Sequence, residues 1–125
     1  MRHDHHYTLE EARSLLPWAR ERLESLRRAR ARLTDAEARE ALIGASGGNG
    51  GGGTGKAVGE AFVELRAGVA EFADRDIVLR DLDRGLIDFP SLRDGREVYL
   101  CWIDGEDDIA FWHDLDAGYG GRQPL

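Results

Sequence analysis

Glu97 to Ile103 reads EVYLCWI, and Ile109 to His113, just beyond it, reads IAFWH. Both segments are rich in β-branched and aromatic side chains, which suit a pleated surface better than a helix. The intervening Asp104-Gly105-Glu106-Asp107-Asp108 supplies a turn, so the two pair as a hairpin. A strand with one wet face alternates apolar and polar residues. Here Val98 to Ile103 and Ile109 to Trp112 are apolar without a break. Both faces of the hairpin therefore need cover, and that requirement organises the rest of the chain.

Working outward, Leu86 to Phe89 (LIDF) predicts a third strand, ended by Pro90, with Asp94-Gly95 as a turn. Asp114 to Leu125, with Gly118, Gly120, Gly121 and Pro124, reads as an irregular closing segment. Upstream the apolar period changes to that of helices. Thr8 to Glu11 (TLEE) is a capping box. Leu9, Ala12, Leu16, Ala19, Leu23, Leu26 and Leu33 then form a stripe, interrupted at Arg30 and widened by Leu15 and Trp18. Pro17 inside this stripe predicts a kink or a helix restart. A second helix is expected over 56–84, with Val58, Phe62, Leu65, Val69, Phe72 and Leu79 as its seam, a polar break at Asp76 and Gly85 as its stop. Two matching seams predict an antiparallel pair, each buried Leu or Phe contributing about 1.5–3 kcal/mol.

The remaining segments are less informative. Met1 to His6 (MRHDHH) holds three histidines and reads as a frayed tail or cloning remnant able to chelate metal adventitiously, within a flexible stretch over 1–7. Gly44 to Gly55 reads as a flexible glycine-rich linker. Gly50 to Lys56 spells G-x-x-x-x-G-K, but no strand precedes it and Ala57 stands where a phosphate loop needs Ser or Thr, so it is a chance match.

The expected fold is thus a single α+β domain over 1–125. A long antiparallel helix hairpin (8–43 and 56–84) packs on a small, about three-stranded antiparallel sheet in the module 85–125. The helices roof one face only, so the C-terminal segment, a bend in the helices or a second subunit must cover the other. A homodimer is the economical answer.

Charge and length narrow the function classes. The net charge is −7, and residues 85–125 carry three arginines against nine acids. Such a module repels phosphate backbones, which argues against nucleic acid. No apolar run approaches the roughly 20 residues of a bilayer span. One cysteine, Cys101, and no signal pattern predict a cytoplasmic protein.

Gly85-Leu86-Ile87-Asp88-Phe89-Pro90, Val98-Tyr99-Leu100-Cys101-Trp102, Gly105-Glu106 with Ile109, Phe111-Trp112-His113 and Gly118 to Arg122 together carry a family signature. With the opening Tyr7 to Leu16 (YTLEEARSLL), they make the chain resemble the domain-of-unknown-function 2203 family of small prokaryotic proteins over most of its length. That resemblance implies no particular chemistry and transfers no functional residue.

Chemistry, if present, is expected in the C-terminal module. Asp88, His113 and Asp116 are candidate ligands for a divalent metal such as zinc, manganese or iron. Glu106 sits at the turn, roughly 20 Å of strand from His113, and joins them only from a second subunit. Glu106, Asp107 and Asp108 otherwise read as a solvated turn, and Cys101 as a small inert hydrophobe. Arg122 is placed to bind Asp88 or Asp116 as a structural salt bridge, or an anionic ligand. Two function classes follow. One is a small dimeric binding or interaction module; the other is a small metal-dependent enzyme, of hydrolase type, built on Asp88, His113 and Asp116.

Overall fold

The computed structural model describes residues 1–45 and 52–125. Thr8 caps α1 (Leu9–Ser14) as expected: its hydroxyl accepts from Glu11 N at 3.1 Å while the Glu11 carboxylate accepts from Thr8 N at 3.3 Å. The helix breaks at Leu15, and α2 (Leu16–Ala45) restarts with Pro17 in its first turn, where a missing N–H costs no hydrogen bond. Ala12, Leu16, Ala19, Leu23 and Leu26 are buried, so the stripe continues through the break.

α3 (Gly52–Asp74) lies along α2. Arg22 meets Glu71 and Arg32 meets Glu64, so the two helices run in opposite directions. Two expectations are corrected here. The contact surface of α3 is not the row Phe62, Val69: those side chains are 53% and 46% exposed. Phe72 is buried and Leu65 packs against the core, as the expected seam had them, but small residues replace Phe62 and Val69, with Ala61 facing a side of α2 that buries Ala29 and Ala36. At Gly68 a Cβ would lie only 2.4 Å from Leu26 Cδ2. Close approach at Ala61 and Gly68 thus leaves Phe62 and Val69 on the outer side of α3.

The second correction is the end of α3, ten residues earlier than expected. Asp76 adopts φ 60°, Ile77 N donates to Phe72 O at 3.0 Å and Asp76 N to Ala73 O at 2.9 Å. This is a left-handed helix cap, closed by contact between the buried Phe72 and Ile77. The polar break at Asp76 is therefore the helix terminus. Gly85 (φ 67°) serves a later turn, where a Cβ would lie 2.5 Å from that of Asp104. Of the linker expected over 44–55, residues 46–51 lie outside the described residues, and the rest is helical, at the end of α2 and the start of α3.

The helix residues thus released form a strand, and the sheet has five strands rather than about three. β1 (Val78–Asp81), β2 (Leu86–Arg93), β3 (Arg96–Ile103), β4 (Phe111–Asp114) and β5 (Gln123–Pro124) lie in chain order, every neighbour antiparallel. β5 lies in the segment expected to be irregular; it is two residues long and tolerates Pro124 because it is an edge. Where β1 stops, Tyr7 takes over the flank of β2, its N donating to Pro90 O at 2.7 Å while Ser91 Oγ donates to Tyr7 O at 2.6 Å.

Residues alternate between two faces. Ile87, Phe89, Val98, Leu100, Trp102 and Trp112 pack against α1, α2 and α3 in one apolar core. Asp88, Tyr99, Cys101 and His113 point the other way, where α1–α3 do not reach. Val98 to Trp102 are nonetheless at most 4% exposed. The second face is covered within the chain by its two ends, so the composition of the hairpin does not by itself demand a second subunit.

The N-terminal end does this through two carboxylates. Glu97 accepts from Arg2 N (2.8 Å), His3 N (3.0 Å) and His6 Nε2 (2.7 Å). Asp76 accepts from His3 Nδ1 (2.7 Å), Asp4 N (3.1 Å) and His5 N (3.2 Å). The opening hexapeptide, read as frayed, is laid on the sheet by this double clamp.

Candidate functional site

Asp88 on β2, Cys101 on β3 and His113 on β4 are brought together on the second face. Strand register makes Asp88 and Cys101 direct partners and sets His113 opposite Tyr99, one pleat along. One potential ligand atom from each of Asp88, Cys101 and His113 lies within 4.8 Å of the other two. All three side chains are buried. They also line a cleft of ≈ 240 Å³ with Arg80, Leu86, Leu115, Asp116, Gly118 and Tyr119.

Hydrogen bonding fixes how His113 is presented. Its Nδ1 lies 2.7 Å from the Asp114 carbonyl, which can only accept, so Nδ1 carries the hydrogen. Nε2 then faces Asp88 Oδ1 at 3.0 Å. The other carboxylate oxygen, Oδ2, accepts from Arg80 Nε at 2.9 Å. A histidine oriented by a backbone carbonyl through one nitrogen, with the other aimed at a carboxylate, is the usual presentation of a metal-binding imidazole. With both nitrogens engaged and the ring buried, it is poorly placed as a general base for a bound substrate.

The third member is Cys101. Burial, reinforced by the Asp88 carboxylate, pushes its thiol up to about 12. As a free nucleophile it is inactive, because the thiolate is the reactive form. As a ligand it is competent, since a bound cation replaces the thiol proton.

A tetrahedral zinc with nitrogen and oxygen donors each about 2.0 Å away sets those donors about 3.3 Å apart. The 3.0 Å between His113 Nε2 and Asp88 Oδ1 is close to that spacing. One sulfur, one nitrogen and one oxygen donor suit zinc or cobalt rather than magnesium or calcium.

The other sequence-derived candidates fall elsewhere. Asp116 lines the same cleft, but its side chain is 89% exposed and pairs with Arg2 at 3.1 Å. Arg122 binds neither Asp88 nor Asp116: its Nη2 lies 2.7 and 2.9 Å from the two oxygens of Glu106. Glu106 is thereby more than a solvated turn residue, since Oε1 also accepts from Ile103 N at 2.8 Å. This pair ties the closing segment to the hairpin turn. Its guanidinium stacks on Phe111 and Tyr119, 4.1 and 5.0 Å from the ring centroids.

Sequence reasoning passed over Cys101 and Arg80. Strand parity could have found the first, because Tyr99 and Cys101 alternate with Leu100 and Trp102. The apolar, partly β-branched run Ile77-Val78-Leu79 after Asp76 was the available signal that Arg80 leaves the helix.

Among the described residues no helix is long and apolar enough to cross a membrane. No curated protein and no solved structure matches the chain. Residues 5–125 match the family model described as an uncharacterised conserved protein, DUF2203. With nearly its whole length matched, the chain belongs to the DUF2203 family.

Proposed function

We propose that this chain is a small cytoplasmic metal-binding protein that holds one zinc-class divalent ion through Asp88, Cys101 and His113. The observation that carries the reading is the convergence of carboxylate, thiol and imidazole atoms within 4.8 Å on three adjacent strands, at the floor of a cleft. Three protein ligands would leave one coordination position open, the arrangement in which zinc activates water or polarises a substrate oxygen, and all three residues line the cleft. A hydrolytic reaction is the chemistry this geometry supports. Asp116, across the cleft, contributes to its lining rather than to the ligand set.

Metal analysis and zinc titration of the full chain test the reading. One ion per chain is expected, lost in Cys101→Ala. Replacing His3, His5 and His6 with Gln removes adventitious chelation and is expected to leave the ion in place. No binding by the wild-type chain, or binding that disappears with the N-terminal histidines alone, overturns it.

A second reading, self-association into a homodimer, rests on a different observation. Phe62, Val63 and Val69 on α3 are 53%, 64% and 46% exposed, and Phe62 and Val69 share one face two turns apart. Light scattering at micromolar concentration decides it: a dimer that Phe62→Glu converts to monomer supports it, and a wild-type monomer removes it.

A further inference from the structure

We infer that the open position of this metal site takes a small oxyanion, held between the ion and the guanidinium of Arg80. This rests on the metal reading above. Arg80 fixes the orientation of Asp88 through Nε at 2.9 Å and lies over the Tyr99 ring, 5.1 Å from its centroid. Its side chain is 40% exposed and lines the cleft. Its two terminal nitrogens have no hydrogen-bond partner among the described residues, so they remain available to a ligand.

The charge around the cleft points the same way. Arg84 stacks on Tyr119, another lining residue, at 4.6 Å from its centroid, whereas Arg122 on the same ring is neutralised by Glu106. Arg84 has no carboxylate partner for its guanidinium among the described residues. The acids of the cleft are already engaged, Asp88 by Arg80 and His113, and Asp116 by Arg2. Arg80 and Arg84 beside a divalent ion favour a negatively charged oxygen ligand. At ≈ 240 Å³ the cleft is smaller than the roughly 300–1,000 Å³ typical of drug-sized ligand sites. It therefore fits a carboxylate or phosphate group, or the end of a substrate bearing one, and not a whole nucleotide.

Cobalt substitution separates this inference from the reading beneath it. Cys101 is the only cysteine, so a sulfur-to-cobalt charge-transfer band in the full chain reports occupancy of this site alone. Acetate and inorganic phosphate are then titrated in parallel while the visible ligand-field bands are followed. Saturable change with either anion is expected, and the tighter of the two fixes whether a planar or a tetrahedral group is preferred. In Arg80→Gln, compared with wild type at equal cobalt occupancy as read from the charge-transfer band, the anion is expected to bind about tenfold or more weaker, the size of one charge-assisted hydrogen bond. Arg80→Lys should recover part of that loss. A charge-transfer band with no response to either anion overturns the inference and leaves the metal site standing. Anion binding indifferent to Arg80→Gln overturns the role of Arg80. Absence of the band overturns the metal reading and this inference together.

Discussion

The two faces of the sheet are built from alternate residues of the same strands, yet they obey different physics. Toward α1–α3, Ile87, Phe89, Val98, Leu100, Trp102 and Trp112 contribute apolar surface to one continuous core. Stability there scales with area removed from water, and the partners are whole helices. On the other face, Asp88, Tyr99, Cys101 and His113 are as deeply buried. They are held by directional bonds to specific groups: Arg80, the Asp114 carbonyl, and His3, whose Nε2 lies 2.6 Å from Tyr99 Oη. Burying such groups is costly unless each finds a partner. The cover on that side is thin, made of the two ends of the chain. One face is designed to be dry; the other excludes bulk water while keeping polar atoms convergent.

Substitutions on the two faces should therefore separate stability from ligand binding. The largest effect is expected at Trp102, which is 0% exposed on the helix side. Trp102→Ala should cost about 3–5 kcal/mol, measured by denaturant unfolding, with zinc binding retained in the fraction that folds. A loss below about 1 kcal/mol would mean that the helix side is not where stability resides. Next comes Asp88→Asn, which keeps the shape but removes the charge facing both Arg80 and His113. It should cost about 1–3 kcal/mol and abolish metal binding. Unchanged zinc affinity would break the assignment of that face.

The smallest effect concerns the N-terminal clamp and is read through pH. Burial opposes the charged form of Glu97, but His6 and the His3 and Arg2 amides outweigh it and hold its carboxyl at about 2 instead of 4.5. Asp76, bonded to His3 and to the amides of residues 4 and 5, is lowered as well. A depressed carboxyl stabilises the folded state fully above its unfolded value, and that contribution is lost as pH falls through the folded one. Amide protection at Arg2 and His3 should therefore fall as pH drops from about 4.5 toward about 2. Glu97→Gln should remove the share of that dependence owed to Glu97, leave the share owed to Asp76, and leave the helix side unaffected. Protection that is flat across this range would show that Glu97 does not hold the segment.

How far this was legible beforehand differs element by element. The capping box at Thr8, the break around Pro17 and the β2–β3–β4 order are all local, and the residues announce them. Strand β1 was hidden because the apolar spacing of α3 carries past Asp76 into Ile77 and Leu79, and only the cap geometry shows where the helix stops. The α3 contact surface was legible at Leu65 and Phe72 and misplaced at Phe62 and Val69, because large side chains suggest a seam whereas Gly68 and Ala61 allow the closer approach. At the site, Asp88 and His113 were legible as ligand types. Arg122 was legible as a clamp, though its partner proved to be Glu106.

By itself the sequence determined the α+β class and the hairpin that needs cover on both faces, and it singled out Asp88 and His113 as ligand types. These follow from composition and periodicity, which act over a few residues. Only the tertiary structure decided that Cys101 joins Asp88 and His113, that Arg80 stands behind them, and that the chain ends close the second face. Those outcomes depend on strand register and on contacts between residues up to 114 positions apart. A shift of one residue in pairing would turn every one of these side chains to the opposite face, and no local pattern fixes that choice alone.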